Sequence, residues 1–172
     1  MLQPWAQHGL LPPPWAVRLG PALLASAVVP LAGAISRQLR PREPSAAAWT
    51  SAIALTLLPL MRHGRLAMLD GALVSASGLL WWQLLRARQR PLGAGSWAGL
   101  GGSALLLLKA PALLPVLGAG LLLLALDRAL DRRGWLLLAG GLALGLAPGL
   151  GWQLWHLLAR GSGALLLWGG DG

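Results

Sequence analysis

At 172 residues, the chain is 56% hydrophobic and only 11% charged, less than half of the roughly 25% typical of soluble domains. With a mean hydropathy of +0.63, that balance excludes an ordinary water-soluble fold and indicates an integral membrane protein. The net charge of +9 is not by default a nucleic-acid signal, since Lys and Arg accumulate in cytoplasmic loops of membrane proteins; the absence of cysteine removes disulfides, thiolate metal sites and a Cys nucleophile.

The opening stretch, MLQPWAQHGLLPPPWAVRLG, has no basic leader, and its proline triplet interrupts any apolar core, so it does not read as a secretory signal. Apolar runs follow at Leu19–Ser36, Ser45–Met61, Gly71–Leu85, Leu92–Leu108, Ala112–Leu126 and Gly134–Trp152. Several are short for a hydrocarbon core about 30 Å thick, which takes about 17–25 helical residues. Flanking residues and snorkelling arginines extend them. The expected fold is all-α: a polytopic transmembrane helical bundle of about six spans. Pro30, Pro59, Pro111, Pro115 and Pro148 mark expected kinks. Gly95-x-x-x-Gly99 and Gly141-x-x-x-Gly145-x-x-x-Gly149 permit close helix approach, although with 24 glycines such spacings also arise by chance. The tail from Gln153 to Gly172 reads as mixed and amphipathic. Trp152, Trp155 and Trp168 there suit membrane–water anchors better than a sugar-stacking platform.

The polar breaks between the runs alternate in basic content. One set holds Arg37, Arg40 and Arg42, then Arg86, Arg88 and Arg90, then Arg128, Arg132 and Arg133. The other holds Arg18, Arg62, Arg65, Lys109 and Arg160, so the 14 basic residues divide nine to five. The positive-inside rule assigns the richer set to the cytoplasm. The segment Arg62–Gly71, RHGRLAMLDG, then faces outward together with Lys109 and the C-terminal tail.

That segment carries the sharpest candidate chemistry. An ionisable group at bilayer depth costs at least about 2.5–3.5 kcal/mol, so it is retained for a partner or a purpose. Asp70 stands where a helix begins, a position favourable to a carboxylate. One reading stops there, with Arg62 and Arg65 as interfacial anchors and Lys109 snorkelling at a turn before Ala110-Pro111. The other gives the same side chains work. Arg62, Arg65 and Lys109 would grip a lipid-linked phosphate, and Asp70 would act as a general base or position an acceptor. Arg65 and Asp70 are five apart and do not share a face of a regular helix; cooperation requires irregular backbone near Gly64 or a third group. His8, His63 and His156 have no metal-ligand spacing, and no phosphate loop, dinucleotide fingerprint or Ser/His/Asp arrangement occurs. Nothing in the residues points to a metal or a cofactor.

In order and spacing, RHGRLAMLDGALVSASGLLWW, AGLGGSALLLLKAPALLPVL and GWQLWHLLARGSGALLLWGGDG resemble membrane glycosyltransferases of family 39. These are the dolichyl-phosphate-mannose-protein mannosyltransferases and their bacterial relatives, the lipid A aminoarabinose transferases among them. The family's R-x-x-x-x-D stretch corresponds to Arg65 through Asp70. Its K-G-P element corresponds to Lys109-Ala110-Pro111, with alanine replacing the glycine, and WAVRLGPALLA resembles its RLPSAL segment. The resemblance implies a GT-C type fold in the inner (plasma) membrane of a bacterium. It implies inverting transfer of a sugar from a polyprenyl-phosphate donor to a protein or lipid acceptor at the outer face. By that resemblance Arg65 and Asp70 would line the site and Lys109 would lie near the lipid phosphate; outside the resemblance, Arg62 is a further candidate for the phosphate and His156 a candidate on the acceptor side. In the family a first helix and an outer loop with the main catalytic acid precede the RLPSAL segment, so this chain is expected to be part of a larger fold. Activity would then need the missing parts, and a complementing membrane subunit would be one source.

A second reading keeps the bundle and drops the enzyme: a transporter subunit or lipid-binding scaffold, because an acid near Arg and Lys also suits a substrate pathway. Nucleic acid is disfavoured as a partner, because the arginines alternate with the spans instead of forming one patch.

Overall fold

A computed structural model of the chain describes residues 14–57 and 70–160. The elements among the described residues are helices: α1 (Pro14–Ser26), α2 (Val28–Leu39), α3 (Pro44–Thr56), α4 (Asp70–Leu85), α5 (Pro91–Leu126) and α6 (Arg132–Arg160). The expected all-α bundle is therefore present.

Proline sets several boundaries. Pro44 and Pro91 stand at the starts of α3 and α5, where a missing N–H costs nothing and the fixed φ suits a helix. Pro30 has no N–H for the Ser26 carbonyl, and α1 gives way to α2 just there, at Ala27. Ala27 keeps helical dihedrals, so Leu19–Leu39 still forms one apolar stretch of 21 residues, long enough to cross a bilayer. The turn into α6 is closed by its own backbone: Arg128 N–H bonds Ala125 O at 3.1 Å, and Ala129 N–H bonds Leu124 O at 3.0 Å. Arg128 takes the left-handed φ of 46° that this helix ending uses. Asp131 Oδ1 then accepts from Gly134 N–H at 2.7 Å and caps α6.

Helix α5 cannot be one straight rod. Its 36 residues would extend about 54 Å, well beyond a hydrocarbon core of about 30 Å. Lys109, two residues before Pro111, is extended (φ −160°, ψ 88°), and the chain folds back there. A methyl on Gly102 would lie 3.1 Å from Leu113 Cδ1, a contact that no straight helix permits across eleven residues. Gly120 lies against Leu84. Arg88, before α5, forms an ion pair with Asp127, after it. The two expected runs, Leu92–Leu108 and Ala112–Leu126, are thus the two antiparallel arms of α5.

The first arm of α5 also runs parallel to α6, with their backbones touching. A Cβ on Gly99 would sit 2.8 Å from Gly145 Cα, and one on Gly141 would sit 3.0 Å from Gly95 Cα. Both glycine repeats therefore serve the close approach that their spacing permits. One step further along, Ser103 Oγ lies 2.8 Å from Gly145 O and 3.1 Å from Gly149 N. The hydroxyl is inserted between the carbonyl and the N–H of one α6 turn, beside Pro148, which itself has no N–H for Leu144 O. On its other side α5 meets α4, where Gly101 lies against Ala76 and Leu80. Leu80, Leu105 and Leu138 are fully buried in the core shared by α4, α5 and α6.

The first three helices are more loosely attached. α2 packs along α4, with Gly78 against Leu31, while α3 packs, among the described helices, on α2 alone. Many large apolar side chains point outward, including Trp49, Leu114, Leu144 and Leu158. That would be costly in water and is expected against lipid. Besides Leu19–Leu39, Pro91–Leu126 and Arg132–Ala159 are long and apolar enough to cross a membrane. Together with the reversal in α5, these stretches make an integral membrane protein. The final helix differs from expectation in one respect: it does not end near Trp152 but continues to Arg160, so the first residues of the tail are regular helix.

The glycine contact is testable. Gly145→Leu should destabilise the bundle by about 1–3 kcal/mol through overpacking. Gly140→Ala, with open space around it, should be neutral or slightly stabilising. Thermal unfolding of the detergent-solubilised variants would check both.

Candidate functional site

The register of the helices decides which polar residues share an end of the bundle. Gly101 of α5 lies against Ala76 and Leu80 of α4, and these helices are antiparallel. About two turns beyond that contact on each helix come Asp70 and Lys109. On α6, Gln153 Nε2 donates to Leu106 O at 3.1 Å, so His156, one turn later, falls beside the Lys109 reversal. Ala25 of α1 lies against Gly71, which brings the end of α1 to the same level. Asp70, Lys109 and His156 come from separate parts of the chain and gather at one end of the bundle.

The local reasons differ for each. Asp70 is the acidic residue in the first turn of α4, where the helix N-terminus favours negative charge. Lys109 is exposed at the reversal in α5. His156 lies between two indoles, with ring centroids 4.6 Å from Trp152 and 4.8 Å from Trp155, both edge-on. Trp152 and Trp155 are about half exposed and suit an interfacial belt. Arg62, His63 and Arg65 lie outside the described residues, as does Pro59. Segment 58–69 joins Leu57 to Asp70, and Leu57 stands at this same end because α3 runs antiparallel to α2, with Ser51 Oγ on Val29 O at 3.2 Å.

The opposite end holds the other charges. Arg37, Arg40 and Arg42 stand at the α2–α3 turn, Arg86, Arg88 and Arg90 at the α4–α5 turn, and Arg128, Arg132 and Arg133 at the α5–α6 turn. The Arg88–Asp127 pair ties two of these turns together, and the contact of Leu31 with Gly78 brings the end of α2 level with the end of α4. The nine-residue set of the sequence is one end of the folded bundle.

Gln153 is the residue near the site that the sequence does not single out. The break at Lys109 and the missing N–H of Pro111 disturb the donors for the carbonyls of the preceding turn. Gln153 supplies one of them from the neighbouring helix. A lone Gln in a tail of mixed character carries no signal that identifies such a partner. Among the described residues, no group of three or more His, Asp or Glu side chains is placed to hold a metal ion.

The family profile of the dolichyl-phosphate-mannose-protein mannosyltransferases matches residues 9–167. The chain belongs to this family. No curated protein and no solved structure shows a significant match. Family membership makes this a membrane mannosyltransferase-like chain, and the matched span includes both ends of the bundle, with Asp70, Lys109 and His156 inside it.

The chain has no cysteine, so single-cysteine variants report sidedness directly. Lys109→Cys should react with a membrane-impermeant maleimide in intact cells. Gln89→Cys, in the turn between α4 and α5, should react only after permeabilisation. The reverse pattern would invert the assigned orientation.

Proposed function

We propose that the Asp70–Lys109 end is the outer-face site of a GT-C type glycosyltransferase domain in the inner membrane of a bacterium. The donor is a polyprenyl-phosphate sugar and the acceptor a hydroxyl of a protein or lipid. The acceptor oxygen attacks the anomeric carbon from the face opposite the phosphate and inverts its configuration. The bond between that carbon and the phosphate oxygen breaks, and polyprenyl phosphate leaves with the bonding electrons. The acceptor proton passes to a carboxylate, for which Asp70 is the candidate in this chain. Arg65, Arg62 and Lys109 neutralise the charge that develops on the phosphate. His156 lies on the acceptor side, where the Trp152–Trp155 pair also stands.

One observation carries the proposal. Within a chain matched to this family over residues 9–167, the reversal of α5 brings Lys109 to the same end as Asp70, away from the nine arginines. A phosphate on a lipid carrier lies at such an interface, with its isoprenoid tail in the hydrocarbon.

Binding of a polyprenyl-phosphate sugar to the detergent-solubilised chain provides the test. A lost charge-assisted hydrogen bond is worth about 1.5–3 kcal/mol, so Arg65→Ala and Lys109→Ala should each weaken binding by about 10- to 100-fold. Wild-type affinity in both variants would remove the phosphate roles.

A further inference from the structure

The end of the bundle away from Asp70 and Lys109 carries a feature that glycosyl transfer does not use. Between α2 and α3 lies a cavity of about 690 Å³, within the size range of about 300–1,000 Å³ seen for ligand pockets. Ile35 and Leu39 from α2 and Trp49 and Ile53 from α3 line its sides, the more buried Ser36 and Thr50 lie between them, and Arg40 and Glu43 stand at its mouth by the α2–α3 turn. The walls are fixed by contacts between the two helices: Thr50 Oγ1 lies 3.0 Å from Ser36 Oγ, and Gly33 lets Ser51 and Ala47 come close. Since α3 packs on α2 alone among the described helices, the groove opens sideways there, and Trp49 and Ile53 are 71% and 60% exposed along its rim.

The charge around the mouth selects an occupant. Arg37, Arg40 and Arg42 face one acid, Glu43, in this turn. The Arg40–Glu43 pair is long, at 3.4 Å, with side chains 67% and 61% exposed. Such a pair is weak, and the guanidinium keeps donors to spare. Apolar walls beneath a basic mouth, at the end where the inside rule places the cytoplasm, match an anionic lipid of the inner leaflet.

We propose that this groove binds an anionic diacyl phospholipid of the bilayer. Its phosphate sits on Arg40 and one acyl chain runs along Ile35, Leu39, Trp49 and Ile53. This site is separate from the proposed donor site, and its test does not depend on glycosyl transfer.

Native mass spectrometry of the full chain in detergent, with equal amounts of phosphatidylglycerol and phosphatidylcholine of matched acyl chains, reads the preference directly. The wild type should retain phosphatidylglycerol at least about fivefold better, the size expected for one surface arginine. Arg40→Gln should abolish that preference, whereas Glu43→Gln, which removes the competing acid, should increase it. Trp49→Ala should reduce retention of both lipids. Arg132→Gln, at the same end but outside the groove, should behave as wild type, and soluble glycerol phosphate should not displace the lipid. The proposal is overturned by equal retention of the two lipids, by no response to both Arg40→Gln and Glu43→Gln, or by an equal loss in Arg132→Gln. Displacement by glycerol phosphate, or a dimer that dissociates in Trp49→Ala, would overturn it too, by making the occupant a free phosphate or a second copy of the chain.

Discussion

The parallel contact between the first arm of α5 and α6 sets the geometry on which the candidate site depends. Lipid is as apolar as leucine, so burying leucine does little to bring membrane helices together, and close van der Waals contact must do it. Gly95, Gly99, Gly141 and Gly145 let the two backbones touch. Contact at that distance tolerates little sliding, because any Cβ in the way meets backbone rather than a flexible side chain. Ser103 then bridges Gly145 O and Gly149 N, and Gln153 reaches Leu106 O. These contacts hold the same register along the interface, and they bring the Trp152–Trp155–His156 cluster level with the reversal at Lys109.

The reversal itself converts composition into sidedness. Had α5 remained straight, the turn after it would lie far from the turn before it. Instead the Arg88–Asp127 pair joins them. As an exposed contact that pair adds about 0–1 kcal/mol at most, so it reports the topology more than it maintains it. The work is done by Pro111, which cannot donate to the turn before it, and by Leu113 folding back onto Gly102.

Much of this was legible in the sequence because hydropathy and charge alternate on the scale of a membrane span. The polar breaks fall where helices end, and the division of fourteen basic residues into nine and five survives folding for the nine. The position of Lys109 between two apolar runs is a strong signal in itself, since an isolated ammonium in a long apolar stretch is costly unless it reaches the interface. Less could be read where short-range pattern fails. Glycine spacings in a glycine-rich chain do not say which pairs will meet. The continuation of α6 to Arg160 was hidden by Gly151 and the aromatic residues after it, which resemble an interfacial tail. The groove between α2 and α3 leaves no trace in periodicity, because it arises from how two helices meet, with the small residues Ala32 and Ala46 in its lining. Arg62 and Arg65 lie outside the described residues.

Polar groups within the spans follow a different rule from those at the ends. Ser51, Ser75 and Ser103 direct their hydroxyls at backbone carbonyls of neighbouring helices, and no buried side-chain N or O atom is left without a partner among the described residues. Their hydrogen-bonding capacity goes into helix packing, which is the cheapest use for a hydroxyl in hydrocarbon. Apart from Arg18, in the second turn of α1, every Asp, Glu, Lys and Arg of the described helices stands at a helix end or, for Lys109, at the reversal. Ionic chemistry is therefore confined to the two interfaces, and each interface is bordered by apolar surface that faces lipid. A ligand suited to either end has its charge at the interface and its tail in the bilayer. Charge alone does not distinguish the two ends for a phosphate. The distinction comes from their surroundings, an acid, a lysine and an aromatic cluster at one end against an arginine-rimmed apolar groove at the other.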